Sequence, residues 1–281
     1  MFTTLVDTTT LAAHLNDPGW VIFDCRFDLT KPDAGQQAYE EGHIPGARYA
    51  HLDRDLSSPV TPQSGRHPLP DPTALATQLG RWGVDRQKQV IVYDGGPGAI
   101  AARMWWLLRW LGHDAVALLD GGMAKWREEK RPLSREAPSI TTHVFEPHPD
   151  DSRWVSTATI EQLPDEGGSL LLDARAQRRF EGAVEPIDKV AGHVPGAVNR
   201  PFENNVDEQG CFLAPAQLRK QWLELLGPVP PSRVINMCGS GVTACHNILA
   251  MTHAGLDGAK LYVGSWSEWI RDSGRPVATG A

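Results

Sequence analysis

The chain has 281 residues, of which 41% are hydrophobic and 22% are charged. This composition is ordinary for a soluble globular protein and excludes a disordered chain, a collagen and a coiled coil, and the length favours two domains. The formal net charge of −7 argues against nucleic acid or an anionic membrane as the main partner, because both attract basic surfaces. A local basic pocket for a small anion is compatible with that charge.

The termini and the cysteines indicate the compartment. No apolar run approaches the roughly 18 residues of a membrane span, and the amino terminus lacks the basic and apolar regions of a secretory signal. Four cysteines are too few for a disulfide framework in a chain of this length, and their spacing is not that of a zinc site. We therefore expect free thiols, no metal and a cytoplasmic protein. Cys25 and Cys245 are interpreted as core residues and Cys211 as an exposed one.

Short apolar runs alternate with amphipathic segments along the chain. The runs predict buried strands, which in chain order lie at 21–24, 90–94, 115–120, 170–173, 233–237 and 260–263. The amphipathic segments each end at a glycine and predict helices at 73–83, 100–112, 215–227 and 242–255. This alternation predicts an α/β fold with an open, mainly parallel sheet, in which ligands bind beyond the carboxyl ends of the strands.

The sequence also contains an internal repeat. The motif VIFDCR at 21–26 recurs as LLLDAR at 170–175, and GHIPGA at 42–47 recurs as GHVPGA at 192–197. The landmarks appear in the same order and at nearly equal spacing in the two halves, so chance is a poor explanation. Each half is long enough to be a domain rather than one unit of a solenoid.

The repeat predicts two domains of one fold. We place the first domain at residues 1–135, a proline-containing linker at 136–152 and the second domain at 153–281. Within the repeat, Asp94 occupies in the first domain the position that Cys238 occupies in the second.

Cys238 follows a predicted strand and precedes a predicted helix. The loop after it is small and flexible and consists of Gly239, Ser240, Gly241, Val242 and Thr243. Backbone N–H groups in such a loop can turn inward, and the helix dipole adds partial positive charge, so the loop can stabilise an anion. A thiolate at this position is a stabilised nucleophile. We therefore interpret Cys238 as a reactive cysteine.

A thiolate in such a loop can serve several chemistries. A phosphate-ester hydrolase would need an arginine at the start of the helix to clamp the phosphate, and this chain has Ala244 there. A cysteine protease would need a histidine paired with Asn or Asp, and nothing in the loop selects a peptide. Sulfur transfer remains, in which the thiolate attacks an activated sulfur and holds it as a persulfide. The persulfide charge lies one atom further out, where N–H donors can reach it.

The motifs quoted above resemble the two-domain rhodanese family, over essentially the whole chain. CGSGVTA at 238–244 is similar to the active-site loop of the family's 3-mercaptopyruvate sulfurtransferases. GHIPGA and GHVPGA resemble a second family signature, and GSWSEW at 264–269 resembles the carboxyl-terminal one. The resemblance implies two tandem rhodanese-like domains, each a mainly parallel sheet flanked by helices, of which the first is catalytically inactive. It also implies transfer of sulfane sulfur from 3-mercaptopyruvate to a thiol or cyanide through a Cys238 persulfide.

The resemblance further implies which residues handle the substrate. Ser240, His67 and Asp53 match a Ser–His–Asp relay for proton transfer during C–S cleavage, and Arg179 matches an arginine that binds the substrate carboxylate. The remaining substrate-binding positions are backbone N–H donors of the loop, at Gly239, Gly241, Val242 and Thr243.

The chain departs from the family pattern at one position of the expected carboxylate site. Asp188 stands where the family has a second arginine, and its negative charge is expected to repel the substrate. The neighbouring Lys189 is one candidate for the missing cation, although a lysine does not replace a bidentate arginine. Arg175 is expected to pair with Asp173 instead of binding substrate.

Two alternatives stay open. Thiosulfate is a second candidate donor, although the family's thiosulfate enzymes carry basic side chains directly after the cysteine and this loop is neutral. A non-catalytic rhodanese-like sulfur carrier is the alternative from another class, and the intact Cys238 argues against it. The expected partners are a small-molecule sulfur donor and a thiol acceptor, such as a small thiol or a redox protein. No organic cofactor, nucleic acid or membrane is expected.

Overall fold

The computed structural model describes residues 1–163 and 168–280, and the chain divides into two compact units. The amino-terminal unit comprises Met1–Ser58, Leu69–Asp150 and Glu208–Phe212. The carboxyl-terminal unit comprises Pro59–Pro68, Asp151–Asp207 and Leu213–Ala281. The segment Pro59–Pro68 thus belongs to the carboxyl-terminal unit although it lies in the first half of the chain. The domain limits at 1–135, 136–152 and 153–281 stay a prediction.

Each unit contains a five-stranded sheet. The strands of the amino-terminal unit are β1 (Leu5–Val6), β2 (Trp20–Asp24), β3 (Arg48–Tyr49), β4 (Gln89–Tyr93) and β5 (Val116–Leu119). Those of the carboxyl-terminal unit are β6 (Trp154–Val155), β7 (Leu170–Asp173), β8 (Val198–Asn199), β9 (Val234–Met237) and β10 (Lys260–Tyr262). The orders are β1-β5-β4-β2-β3 and β6-β10-β9-β7-β8, which are the same order in the two repeats. Within the described residues all ladders between these strands are parallel, which confirms the predicted fold class.

Helices flank both sheets. In the amino-terminal unit they are α1 (Thr8–Ala13), α2 (Ala34–Glu41), α3 (Pro72–Arg81), α4 (Ala101–Trp110) and α5 (Gly122–Glu128). In the carboxyl-terminal unit they are α6 (Thr157–Glu161), α7 (Gln177–Phe180), α8 (Pro215–Leu226), α9 (Ala244–His253) and α10 (Ser265–Trp269). The four predicted helices correspond to α3, α4, α8 and α9. Each is followed by the predicted glycine with a positive φ, between 54° and 81°, as a helix stop requires.

The apolar interior is formed by strands, helices and buried tryptophans. α4 packs on β4 and β5, and α9 packs on β9 and β10. Five of the buried tryptophans are Trp105, Trp106, Trp110, Trp266 and Trp269. Cys25 and Cys245 are buried, Cys211 is partly exposed, and none of the four cysteines, all within the described residues, forms a disulfide. Across residues 1–163 and 168–280, the helices are too short or too polar to cross a membrane.

Strands β2 and β7 end at equivalent buried ion pairs. Arg26 lies 2.6 Å from Asp24, and Arg175 lies 2.7 Å from Asp173, with both carboxylates fully buried. Each arginine also donates to the carbonyl of the glycine that opens the GH-x-PGA motif, at 2.9 Å in the first unit and 2.8 Å in the second. The predicted Asp173–Arg175 pair is confirmed, and its role is to fix the motif against the strand end.

Candidate active site

Cys238 lies at the carboxyl end of β9, directly before the loop that leads into α9. Its side chain is buried, and its backbone is held by the start of α10. The N–H of Cys238 donates to Oγ of Ser265 at 3.1 Å, and the carbonyl of Cys238 accepts from the N–H of Trp266 at 3.0 Å. Ser265 has a φ of 52°, and its hydroxyl donates to the carbonyl of Tyr262. The GSWSEW segment therefore holds the backbone of Cys238 in position.

The loop after Cys238 presents backbone donors. Gly241 has a φ of 76°, and a Cβ there would lie 2.8 Å from the carbonyl oxygen of Val263, so a side chain would strain the loop. α9 begins without a side-chain cap. In the part of the chain that the structure describes, four loop N–H groups donate to no protein acceptor, those of Gly239, Ser240, Val242 and Thr243. Unpaired N–H donors at a helix start are the components of an anion-binding loop.

Ser240 and His67 are in direct contact. Nδ1 of His67 lies 2.7 Å from Oγ of Ser240, and both residues are buried. The segment that carries His67 is attached to α10, because the N–H of the preceding Arg66 donates to Oγ of Ser267 at 3.0 Å. The structure thus brings together two members of the predicted relay, and α10 positions both the cysteine loop and the histidine.

Two guanidinium groups lie beside the backbone of Gly239. A Cβ placed on Gly239 would lie 2.9 Å from Nη2 of Arg66, and 3.7 Å and 3.8 Å from Nη2 and Nη1 of Arg179. The predicted ligand Arg179 is therefore next to the cysteine loop, and Arg66, which was not predicted as a site residue, lies there too. The loop has no charged side chain of its own, but the other segments around it supply positive charge.

Two buried carboxylates hold these arginines in place. Asp188 accepts from Arg66 through Oδ1 and from Nη2 of Arg179 through Oδ2, at 3.3 Å for the latter pair. Glu185 accepts from Nη2 of Arg179 at 2.8 Å and lies 3.5 Å from Nη1 of Arg175. Burial alone would raise the pKa of Glu185, but hydrogen bonds from Arg179 and from two backbone N–H groups bring that pKa below its ordinary value. The arginines and carboxylates form one connected network beside the cysteine loop.

Comparison with known proteins identifies the family. The family model of the rhodanese-like domain matches the chain twice, over residues 7–129 and 156–272. The chain belongs to the rhodanese family. A Pseudomonas aeruginosa protein named "Probable 3-mercaptopyruvate sulfurtransferase" is 50% identical over 278 residues, which is 98% of each chain.

Two further relatives are less similar in sequence. The Bos taurus protein named "Thiosulfate sulfurtransferase" is 30% identical over 285 residues, which cover 96% of this chain and 93% of the bovine one. The crystal structure of the 3-mercaptopyruvate sulfotransferase SseA from Escherichia coli superposes with a TM-score of 0.81 at 32% identity. That match covers 95% of this chain and 100% of SseA. The predicted family is therefore confirmed.

In the amino-terminal rhodanese unit, Asp94 stands at the position equivalent to Cys238. Its side chain is buried, and its carboxylate accepts four backbone N–H groups at distances between 2.8 and 3.1 Å. The donors are Gly96, Gly98, Ile100 and Ala101. In this unit the loop therefore binds an anion that belongs to its own chain.

At three positions the structure does not show the contact or effect that the sequence predicted. Asp53 is exposed, belongs to the amino-terminal unit and donates its N–H to Nδ1 of His51 at 3.1 Å, so its place in the relay stays a prediction. Lys189 is exposed, and it is Arg66 that lies beside the loop. The expected repulsion by Asp188 does not fit the structure, because both of its oxygens accept from guanidinium groups.

Three residues of the site were not predicted, namely Arg66, Glu185 and Ser265. A signal for Arg66 was present in the sequence, because an acidic Asp188 in an anion site needs a nearby cation and Arg66 adjoins the predicted His67. Ser265 lies inside the quoted GSWSEW motif, but its hydrogen bond to the cysteine loop depends on a positive φ that the sequence does not reveal. Glu185 carries no sequence signal that we recognise.

Proposed function

We propose that the protein is a 3-mercaptopyruvate sulfurtransferase that works through a persulfide on Cys238. The observation that carries the proposal is the Cys238 loop, in which Ser240 is hydrogen-bonded to His67 and the N–H groups of Val242 and Thr243 donate to no protein acceptor among the described residues. The relative at 50% identity carries the same activity in its name, which supports the same donor.

In the proposed first half-reaction, sulfur moves to the enzyme. The Cys238 thiolate attacks the thiol sulfur of 3-mercaptopyruvate, an S–S bond forms and the C–S bond breaks, with its electron pair staying on carbon as the enolate of pyruvate. The proton of the substrate thiol is released, and the enolate carbon gains one. Pyruvate leaves and Cys238 holds a persulfide anion. Ser240 and His67 are proposed to carry the proton, and Asp53 to orient the histidine.

In the proposed second half-reaction, the acceptor regenerates the thiolate. A thiolate of a small thiol or redox protein, or cyanide, attacks the outer sulfur, and the electron pair of the S–S bond returns to Cys238. Backbone N–H groups of Gly239, Gly241, Val242 and Thr243, together with that of Ser240, are proposed to stabilise the persulfide charge. The steps balance without a metal or an organic cofactor. A cytoplasmic location, where thiol acceptors are abundant, is part of the proposal.

Arg179 is proposed to bind the carboxylate of the substrate. Its guanidinium lies beside Gly239, and Glu185 holds it through a pair of hydrogen bonds from Nη2 and Nε. Charge-assisted bonds from a planar guanidinium suit the two oxygens of a carboxylate. Because the binding edge is fixed by Glu185, little conformational freedom is lost when the substrate arrives.

Thiosulfate is a second candidate donor. Two guanidinium groups beside a neutral loop also suit a dianion, and a relative at 30% identity is named a thiosulfate sulfurtransferase. Steady-state turnover with 3-mercaptopyruvate and with thiosulfate at equal concentrations separates the two donors, with cyanide as the common acceptor. We expect faster turnover of 3-mercaptopyruvate, and faster turnover of thiosulfate at every concentration would reverse the order. Sulfur loading without turnover of either donor would identify a non-catalytic sulfur carrier.

A further inference from the structure

The guanidinium of Arg66 has donors that the protein does not use. Its Nη1 pairs with Asp188. Within the described residues, its Nε is buried without an acceptor, and its Nη2 donates to no protein atom. Nη2 is the atom that lies 2.9 Å from the Cβ position of Gly239. Arg66 thus directs an unpaired N–H edge toward the backbone that follows the nucleophilic cysteine.

Arg179 presents a second unpaired edge to the same place. Its Nε and Nη2 donate to Glu185, and Nη2 also reaches Asp188. In the described chain its Nη1 donates to no protein acceptor, and it lies 3.8 Å from the Cβ position of Gly239. Two guanidinium groups therefore converge on one point beside the cysteine loop, each with donors left over.

Asp188 lies between the guanidinium groups of Arg66 and Arg179 and allows these two positive charges to stay close together. Its two oxygens each accept from one guanidinium, and its side chain is only 5% exposed. A carboxylate between two cations offsets their mutual repulsion and fixes their orientation. Asp188, which stands where a second arginine was expected, thus holds in place an arginine from another segment, Arg66.

We propose that Arg66 is the second carboxylate-binding residue of the substrate site, beside Arg179, and that Asp188 aligns the two guanidinium groups. The ligand class is a small 2-oxo acid, whose carboxylate and adjacent carbonyl offer acceptor oxygens to both arginines. This inference rests on the proposed function, because it assigns a role in binding the same donor. Arg66 would then supply the positive charge that is missing at position 188, where this chain has Asp188 and not an arginine.

Removing Arg66 tests the proposal directly. Arg66→Ala is expected to raise the KM for 3-mercaptopyruvate about ten- to a hundredfold, because a hydrogen bond to a charged group contributes about 1.5–3 kcal/mol. The kcat should change much less, and Arg66→Lys should lie between wild type and Arg66→Ala. The matched control is Arg178→Ala, which removes an exposed arginine next to Arg179 and should leave KM unchanged. An unchanged KM in Arg66→Ala would overturn the proposal.

A double variant separates binding from mere neutralisation of Asp188. The double variant is compared with Asp188→Asn, because Asp188 also holds Arg179. If Arg66 only cancelled the charge of Asp188, then adding Arg66→Ala to Asp188→Asn would not raise the KM further. If Arg66 binds the substrate itself, the double variant has a higher KM than Asp188→Asn, and this is the result that we expect. Equal KM values in the two variants would overturn the assignment.

Alkylation of Cys238 gives a readout that does not depend on turnover. Iodoacetate and iodoacetamide react at the same carbon, but only iodoacetate carries a carboxylate. We expect Arg66→Ala to lower the ratio of the iodoacetate rate to the iodoacetamide rate about tenfold, measured on the Cys238 peptide by mass spectrometry. A ratio equal to that of wild type would contradict the role of Arg66. A wild type that does not turn over 3-mercaptopyruvate, but whose ratio falls in Arg66→Ala, would contradict the proposed function and leave the anion site standing.

Discussion

Asp94 and Cys238 show what one loop does with two different side chains. In the amino-terminal unit the carboxylate of Asp94 reaches back to four backbone N–H groups and satisfies them. In the carboxyl-terminal unit the N–H groups of Gly239, Ser240, Val242 and Thr243, in the loop after the shorter side chain of Cys238, donate to no protein acceptor among the described residues. A persulfide extends Cys238 by one atom and carries negative charge, so it would resemble the aspartate in both reach and charge. Asp94 is thus an internal example of the anion that the catalytic loop is proposed to bind.

Replacing Asp94 should therefore cost stability. In Asp94→Ala four N–H groups lose their acceptor, and leaving a buried donor unsatisfied costs about 1–3 kcal/mol. We expect the free energy of unfolding to fall by more than about 2 kcal/mol, measured as a shift in the urea midpoint. Cys238→Ala is the matched control and should change stability by about 1 kcal/mol or less, since the Cys238 side chain accepts none of the four loop N–H groups named above, among the described residues. Equal stability of Asp94→Ala and wild type would show that the loop does not depend on an anion.

Ser240 should affect one donor more than the other. Cleavage of 3-mercaptopyruvate creates an enolate that must take up a proton, whereas sulfite can leave from thiosulfate as a stable anion. Ser240→Ala is therefore expected to lower kcat with 3-mercaptopyruvate about a hundredfold and to change kcat with thiosulfate much less. Steady-state assays with both donors measure this. Equal losses with the two donors would mean that Ser240 supports the loop and does not carry a proton.

At the scale of secondary-structure elements, the β9–loop–α9 segment could be predicted from the sequence. The contacts by which α10 holds that segment could not. A buried run, a glycine-containing loop and an amphipathic helix are local patterns, and the structure reproduces them at Val234–Met237 and Ala244–His253. The edge strands have only two residues each, in β1, β3, β6 and β8, and are too short to show a period of two. α10 has five residues, so its role in holding both the cysteine loop and the His67 segment had to come from the structure.

Glu185, in the segment that follows α7, should make the stability of the protein depend on pH. The pKa of this carboxyl is lowered in the folded state, against the effect of burial, by hydrogen bonds from Arg179 and backbone N–H groups. Its stabilising contribution is therefore present above the unfolded pKa of about 4.3 and is lost as the pH falls through the folded value. We expect the difference in unfolding free energy between wild type and Glu185→Gln to shrink as the pH falls from 6 toward 3.

The control for this prediction is a glutamate that makes no such network. Glu224 is exposed on α8, so Glu224→Gln should differ little from wild type at any pH. Urea unfolding of the three proteins at several pH values provides the comparison. A wild-type advantage over Glu185→Gln that stays constant with pH would show that Glu185 is not held as an ionised carboxylate.

At the scale of the whole molecule, the internal repeat carried most of the prediction. The paired landmarks predicted two copies of one fold, and the strand orders β1-β5-β4-β2-β3 and β6-β10-β9-β7-β8 confirm this. The buried Asp24–Arg26 and Asp173–Arg175 pairs recur for the same reason. Contacts between distant segments escaped prediction, because Arg66 and Asp188 lie far apart in the sequence and neither belongs to a periodic pattern. The features that depend on the repeat and on local motifs could be predicted from the sequence. The features that depend on pairing between distant residues could not.

The location of the transferred sulfur tests the central claim most directly. Wild-type protein is treated with one equivalent of 3-mercaptopyruvate without an acceptor, released pyruvate is measured, and the cysteine peptides are analysed by mass spectrometry. We expect one pyruvate per protein and one added sulfur on the Cys238 peptide, with neither product from Cys238→Ser. Added sulfur on the peptide of Cys25, Cys211 or Cys245 instead, or pyruvate release that persists in Cys238→Ser, would contradict the persulfide at Cys238.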